Sequence, residues 1–138
     1  MMTGKNDDYE LIALATEARE RAYAPYYQYA VGAALRGKSG RVYTGCNVEN
    51  AVYSLTICAE RAALFKAVSE GERAFDALAV VTANAGSPCG SCRQVLAEFG
   101  LDLRVLIATP GKLVAVQTVA ELLPRAFGPG DLPGSTDA

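Results

Sequence analysis

The sequence contains no histidine. That removes the commonest general base and a common zinc ligand. Any hydrolysis must therefore run on carboxylates, thiolates, a metal or a combination of these. No run approaches the ~20 apolar residues needed to cross a bilayer. The opening Met1-Met2-Thr3-Gly4-Lys5-Asn6-Asp7-Asp8 carries no apolar signal region ahead of a cleavage site, so a cytoplasmic location is expected and no membrane partner. Basic clusters are missing as well. Lys and Arg number 13 against 15 Asp and Glu, giving a formal charge of −2 and a pI near 5.1. The cations are scattered singly from Lys5 to Arg125, whereas a polynucleotide-binding protein usually presents a basic face. Nucleic acid is not an expected partner.

What is present fits one domain over residues 1–138. Apolar residues make up 51% of the chain, enough for a packed core and too many for disorder. Asp7 followed by Glu10 reads as a capping box opening a helix. Leu11, Leu14, Ala15, Ala18 and Ala22 continue it at helical spacing until Pro25. Tyr29 to Leu35 and Arg41 to Cys46 read as a hairpin turning at Gly37-Lys38-Ser39-Gly40. Asn47 to Thr56 is polar and irregular. A helix is predicted from near Cys58 to Glu70, with Gly71 as its stop. Ala77 to Ala83 is a buried strand, Cys89 to Phe99 a helix ended by Gly100, and Leu103 to Ala108 and Leu113 to Val116 two more strands. Thr118 and Glu121 form a second capping box, which opens a short helix interrupted by Pro124. From Gly128 to Ala138 the composition suggests a loose tail. Strand-helix-strand-helix-strand in the middle predicts a helix-covered α/β sheet with an antiparallel hairpin at one side.

Four cysteines in a reducing compartment read as ligands or buried thiols before disulfides. Cys89-Gly90-Ser91-Cys92 is a C-x-x-C knuckle, open to metal or redox readings. Pro88 before it, and the absence of a second thioredoxin feature, favour metal. Cys58-Ala59-Glu60 lies upstream at a predicted helix start. Successive helical residues advance ~100°, so Cys58 and Glu60 point ~200° apart. They are poorly placed to grip one ion together, and Glu60 is better placed beside a metal-bound water. Three protein ligands and an open position suit a catalytic zinc, whereas a structural site is closed by four. Cys46 is the available fourth thiolate, although it has no knuckle partner and also reads as a small buried thiol. Thiolate ligands point to zinc. Three of them leave the ion with excess negative charge, which helix N-termini at Cys58, Cys89 and Cys92 would offset. Arg61 can add a full positive charge by bonding to the ligand sulfurs.

Cys58-Ala59-Glu60-Arg61, followed by Pro88-Cys89-Gly90-Ser91-Cys92-Arg93-Gln94, resembles the small, three-cysteine cytidine deaminases. Tyr23-Ala24-Pro25-Tyr26, Val31-Gly32-Ala33-Ala34-Leu35, Gly45-Cys46-Asn47-Val48-Glu49-Asn50 and Leu122-Leu123-Pro124-Arg125-Ala126-Phe127 extend the likeness from about Leu11 to Phe127. The resemblance implies a three-layer α/β/α domain with a five-stranded mixed sheet. It also implies one Zn²⁺ per subunit, and a homotetramer whose active sites are shared between subunits. The implied reaction, a step of pyrimidine salvage, converts cytidine or deoxycytidine and water to uridine or deoxyuridine and ammonia. Glu60 would carry the protons. Asn47 and Glu49 match positions that hold the ribose 3′-hydroxyl, and the backbone N–H of Ala59 would bind the base carbonyl. Tyr29 stands where many relatives have a phenylalanine near the base. Tyr53 and Phe127 resemble residues supplied by neighbouring subunits.

Four competing readings make different demands. A polynucleotide deaminase would need a basic, aromatic binding strip, which the acidic chain lacks. A nucleoside antibiotic would share the pocket chemistry. A zinc-stabilised binding module would need four thiolates and would be indifferent to Glu60→Gln. A thiol redox protein would work without zinc.

Overall fold

A computed structural model of the chain describes residues 5–134. The elements are α1 (Lys5–Arg19), β1 (Gly32–Gly37), β2 (Val42–Cys46), α2 (Ala59–Ser69), β3 (Phe75–Val81), α3 (Gly90–Ala97), β4 (Arg104–Thr109), β5 (Lys112–Thr118) and α4 (Val119–Leu122). The strands form one five-stranded sheet in the order β2-β1-β3-β4-β5. Only β3 and β4 run parallel, and α3 makes the crossover between them. The hairpin β1–β2 adds antiparallel strands on one side and β5 adds one on the other. The mixed sheet expected from the sequence is therefore present.

Side chains alternate across the sheet, and each face has its own cover. Ala33, Leu35, Leu78, Val80 and Val105 pack with Ala63, Leu64 and Ala67 of α2 and Leu96 of α3. On the other face, Ala34, Ala77, Ala79 and Ala108 meet Leu11, Ile12 and Ala15 of α1. That face is built largely of alanine, so α1 sits close to it. At Gly32 a Cβ would lie 2.6 Å from the Arg19 nitrogen, which explains why no larger residue fits. Because β3 is covered on both faces, it reads in sequence as a continuous apolar run. Among the described residues no helix is long and apolar enough to cross a membrane.

Several boundaries differ from the sequence expectation. The first helix is already under way at Lys5, so Asp7 and Asp8 occupy its first turn and Asp7 does not cap it. Asp8 instead accepts a 2.8 Å hydrogen bond from Arg104, which ties α1 to β4. The helical spacing continues to Ala22, but α1 ends at Arg19 and tightens through i→i−3 bonds from Glu20, Arg21 and Ala22. Tertiary pairing overrides the periodicity here. The Tyr23 N–H donates to Asn47 O at 3.0 Å, and the Glu49 N–H donates to Tyr23 O at 2.8 Å. Residues Tyr29 to Val31 are not strand, because β1 begins at Gly32. The expected loose tail from Gly128 starts with a 3-10 turn at Pro129–Asp131, fastened where the Gly128 N–H meets Asp131 Oδ2 at 2.8 Å. The remainder of that expectation, and the start of the expected domain, fall partly on residues 1–4 and 135–138, outside the described residues. The second capping box is formed: Thr118 Oγ1 accepts from the Glu121 N–H, and Glu121 Oε1 accepts from the Thr118 N–H.

Candidate active site

The N-termini of α2 and α3 meet at one end of the sheet. Cys58 is the N-cap of α2 and Cys89 the N-cap of α3, both with extended backbone. Cys92 lies in the first turn of α3. All three sulfurs therefore sit where free N–H groups and the helix dipole favour negative charge. Gly45 lets α2 seat against β2, since a Cβ there would lie 2.6 Å from Ala59 O.

The three sulfurs lie within 4.8 Å of one another. Cys58 and Cys89 are 3.9 Å apart, and Cys89 and Cys92 are 3.6 Å apart. A tetrahedral ion with Zn–S bonds of ~2.3 Å needs sulfur separations of roughly 3.8 Å. The trio fits zinc in both geometry and donor chemistry. Cys46 stands outside the cluster, half-buried, with its thiol directed to Arg21 O at 3.5 Å. This overturns the four-thiolate alternative, and Cys46 is a half-buried free thiol where the sequence suggests a buried one.

Arg61 donates from Nη2 to Cys58 Sγ at 3.2 Å, as its place one turn after Cys58 suggests. Hydrogen bonding from Cys92, together with Arg61, holds Cys58 down to about 5. Cys92 is pushed well above the usual thiol range by its bond to Cys58 and by burial.

Glu60 follows in the first turn of α2 and is only 4% exposed. Burial pushes its carboxyl up to about 7, with the nearby Cys58 adding to the effect. A carboxyl poised near neutrality can both accept and donate a proton.

Glu60 and Cys58 open into a cavity of about 460 Å³, which Tyr29, Asn47, Glu49 and Ala59 also line. The polar atoms of Asn47 and Glu49 do structural work that the sequence did not reveal. Asn47 Nδ2 donates to Tyr29 O at 2.8 Å, and its Oδ1 accepts from the Val31 N–H at 2.9 Å. The side-chain amide thus stands in for a strand partner beside residues 29–31. Glu49 accepts from the Tyr26 N–H at 2.7 Å and from the Tyr27 N–H at 3.2 Å. An amide has a second N–H and a carboxylate has further lone pairs, so both keep capacity for a ligand hydroxyl.

Tyr53 and Phe127 are not brought to the cavity of their own chain. Tyr53 packs against Tyr26 and Tyr27, with ring centroids 6.0 and 5.7 Å apart, and is 60% exposed. Phe127 is 58% exposed, and its carbonyl accepts from Gln94 Nε2 at 2.8 Å.

Arg93 has a role that the sequence reading missed. Its Nε donates to Pro88 O, Nη1 to Leu122 O and Nη2 to Ser87 Oγ, all at 2.7–2.8 Å. It clamps the turn that delivers Cys89 against the end of α4. The only signal in the sequence was a guanidinium directly after the knuckle. Thr82 was also missed, because it lies within a run read as plain strand. Its buried Oγ1 accepts the Gly86 N–H at 2.7 Å.

A family model described as the cytidine and deoxycytidylate deaminase zinc-binding region matches residues 5–109. A cytidine deaminase of Sporosarcina psychrophila is 52% identical over 126 residues, covering 89% of this chain and 93% of that protein. A blasticidin-S deaminase of Bacillus cereus is 35% identical, covering 87% of this chain and 91% of that protein. The crystal structure of a cytidine deaminase from Burkholderia pseudomallei superposes with a TM-score of 0.83 at 48% identity, covering 91% of this chain and 100% of that one.

Proposed function

The chain belongs to the cytidine and deoxycytidylate deaminase family, and from that membership we infer that its cavity hydrolyses the exocyclic amine of cytidine and deoxycytidine. The products are uridine or deoxyuridine and ammonia, which places the enzyme in pyrimidine salvage. The observation that carries this reading is a buried glutamate, poised near neutral pH, lining the same cavity as Cys58 and Cys89 of the three-thiol cluster.

Cys58, Cys89 and Cys92 would hold the zinc. When bound, zinc supplies the Lewis acidity that makes water a nucleophile near neutral pH. Glu60 would take one proton from the water that adds to C4 and deliver it to N3, then take the second from the resulting C4 hydroxyl and hand it to the amine as the C4–N bond breaks, so that the oxygen remains as the 4-carbonyl. Because the chain has no histidine, a carboxylate held near neutrality is the group suited to this shuttle. Arg61 neutralises part of the thiolate charge through Cys58. The Ala59 N–H, free at the start of α2, meets the 2-carbonyl of the base. Asn47 and Glu49 hold the sugar hydroxyl, prealigned by their main-chain bonds. Tyr29 flanks the base.

The assembly is a homotetramer in the cytoplasm, and it takes no nucleic acid. Exposed aromatic and apolar side chains at Tyr23, Tyr26, Tyr53, Leu55 and Phe65 support an interface there. The exposure of Tyr53 and Phe127, away from their own cavity, supports their donation to neighbouring sites.

Uridine and ammonia formation from cytidine, with and without a chelator, tests the reaction. Turnover that is lost on chelation and restored by zinc is expected. A zinc-loaded protein inactive on cytidine and deoxycytidine refutes it, and activity confined to an aminopyrimidine antibiotic would redirect the substrate. Mixing Glu60→Gln with Phe127→Ala subunits tests the shared sites, because mixed tetramers regain activity only if Phe127 acts across the interface.

A further inference from the structure

Tyr29 joins two segments that are distant in sequence and both border the cavity. Its carbonyl is held by Asn47, so its backbone is fixed at the sugar end. Its phenol reaches the loop between β3 and α3, where the hydroxyl donates to Asn84 Oδ1 at 2.6 Å. The ring tip lies directly over Gly86. A Cβ built at that glycine would fall 2.5 Å from the Tyr29 hydroxyl oxygen. The loop is itself folded back, with the Gly86 N–H on Thr82 Oγ1 at 2.7 Å and that hydroxyl 3.4 Å from Asn84 Oδ1. The phenol is thus anchored at both ends, and a phenylalanine could not make the second anchor.

We propose that the Tyr29–Asn84 hydrogen bond is a latch over Gly86 that fixes the phenol as a rigid cavity wall, so that Asn84 and Gly86 are positioning residues that set which ring-substituted pyrimidines are admitted. The inference rests on the reading of the cavity as a pyrimidine nucleoside site. In that reading Glu60 meets N3, Ala59 the 2-carbonyl, the cysteine cluster C4, and Asn47 with Glu49 the sugar. The edge bearing C5 and C6 is the one left for the Tyr29–Gly86 wall. A fixed ring there excludes bulk on C5, and an unlatched ring can swing to admit it.

The test measures kcat and KM for cytidine, 5-methylcytidine and 5-bromocytidine. The proteins are zinc-loaded wild type, Tyr29→Phe, Asn84→Ala, Gly86→Ala and the Tyr29→Phe/Gly86→Ala double variant. Loss of one hydrogen bond predicts that the kcat/KM ratio of 5-bromocytidine to cytidine rises about threefold to tenfold in Tyr29→Phe and Asn84→Ala. The change should lie mainly in KM. Gly86→Ala pushes the hydroxyl aside and raises the KM for cytidine about tenfold, an overpacking effect. The backbone of Gly86 is not in the left-handed region, so alanine adds no strain of its own. Removing the hydroxyl in the double variant makes room for the methyl and restores most of the KM.

Unchanged substituent ratios in Tyr29→Phe and Asn84→Ala, together with no rescue in the double variant, overturn the latch. A wild type inactive on all three nucleosides overturns the nucleoside reading instead. Zinc content and thermal melting of each variant separate both results from misfolding, and Tyr29→Phe changes too little to unfold the chain.

Discussion

Replacing Glu60 with glutamine keeps the shape of the side chain and removes its proton chemistry. One carboxyl is asked to serve several proton transfers in turn, each worth roughly 10²–10⁴ in rate. The expected loss in kcat is therefore at least ~10⁴, with zinc content unchanged because Glu60 is not a ligand. The same substitution has a second consequence, opposite in sign. Burial raises the Glu60 carboxyl from its ordinary 4.5 to about 7. Below pH 4.5 the group is protonated in both the folded and unfolded chains, and it costs nothing. As pH rises from there, the unfolded chain loses its proton first, and stability falls until the folded carboxyl ionises near pH 7. The full cost above that pH is about 3 kcal/mol. Glutamine escapes it. The chelated Glu60→Gln protein should melt roughly 10 °C above chelated wild type at pH 8 and show no gain at pH 4.5. Melting curves across that range, read beside ammonia release from the zinc-loaded proteins, decide both parts. Equal melting temperatures at pH 8 would refute the burial argument, and a kcat loss below tenfold would refute the proton-carrier role.

Arg93→Ala removes three hydrogen bonds from the turn before Cys89. It should cost about 3 kcal/mol in denaturant unfolding and weaken zinc retention against a competing chelator. Cys46→Ala should leave zinc stoichiometry unchanged while Cys92→Ser lowers it, and metal analysis of the purified variants would expose a hidden fourth ligand. Zinc affinity should fall as pH falls, because protons compete for the three thiolates, and a chelator titration at two pH values measures the slope.

The helices that build the site were legible because their ends carry local chemistry. Gly71 and Gly100 both adopt positive φ just beyond α2 and α3, as their positions in the sequence suggested. The Thr118–Glu121 box is equally local. The cysteine trio could be read because two spacings, each ambiguous alone, coincided with helix starts. What escaped was long-range. Nothing near Ala22 announces that α1 stops at Arg19, since the stop comes from pairing with residues 47–49. Tyr29 to Val31 looks like a strand because its residues suit one, yet its partner is an amide side chain. The family resemblance links Asn47 and Glu49 to the sugar, while their bonds to the main chain are invisible in a linear reading. Arg93 joins groups up to 29 residues away and Tyr29 reaches Asn84 across 55, distances over which a sequence pattern carries no signal.

The ligand set also acts as a clasp. Cys58 and Cys89 are 31 residues apart in the chain, and one bound ion would join them. By the loop-closure argument used for a covalent cross-link, tying a loop of that length is worth about 3–4 kcal/mol. A copy without metal would lack this constraint together with its chemistry, and would therefore open more readily to proteolysis than a loaded one.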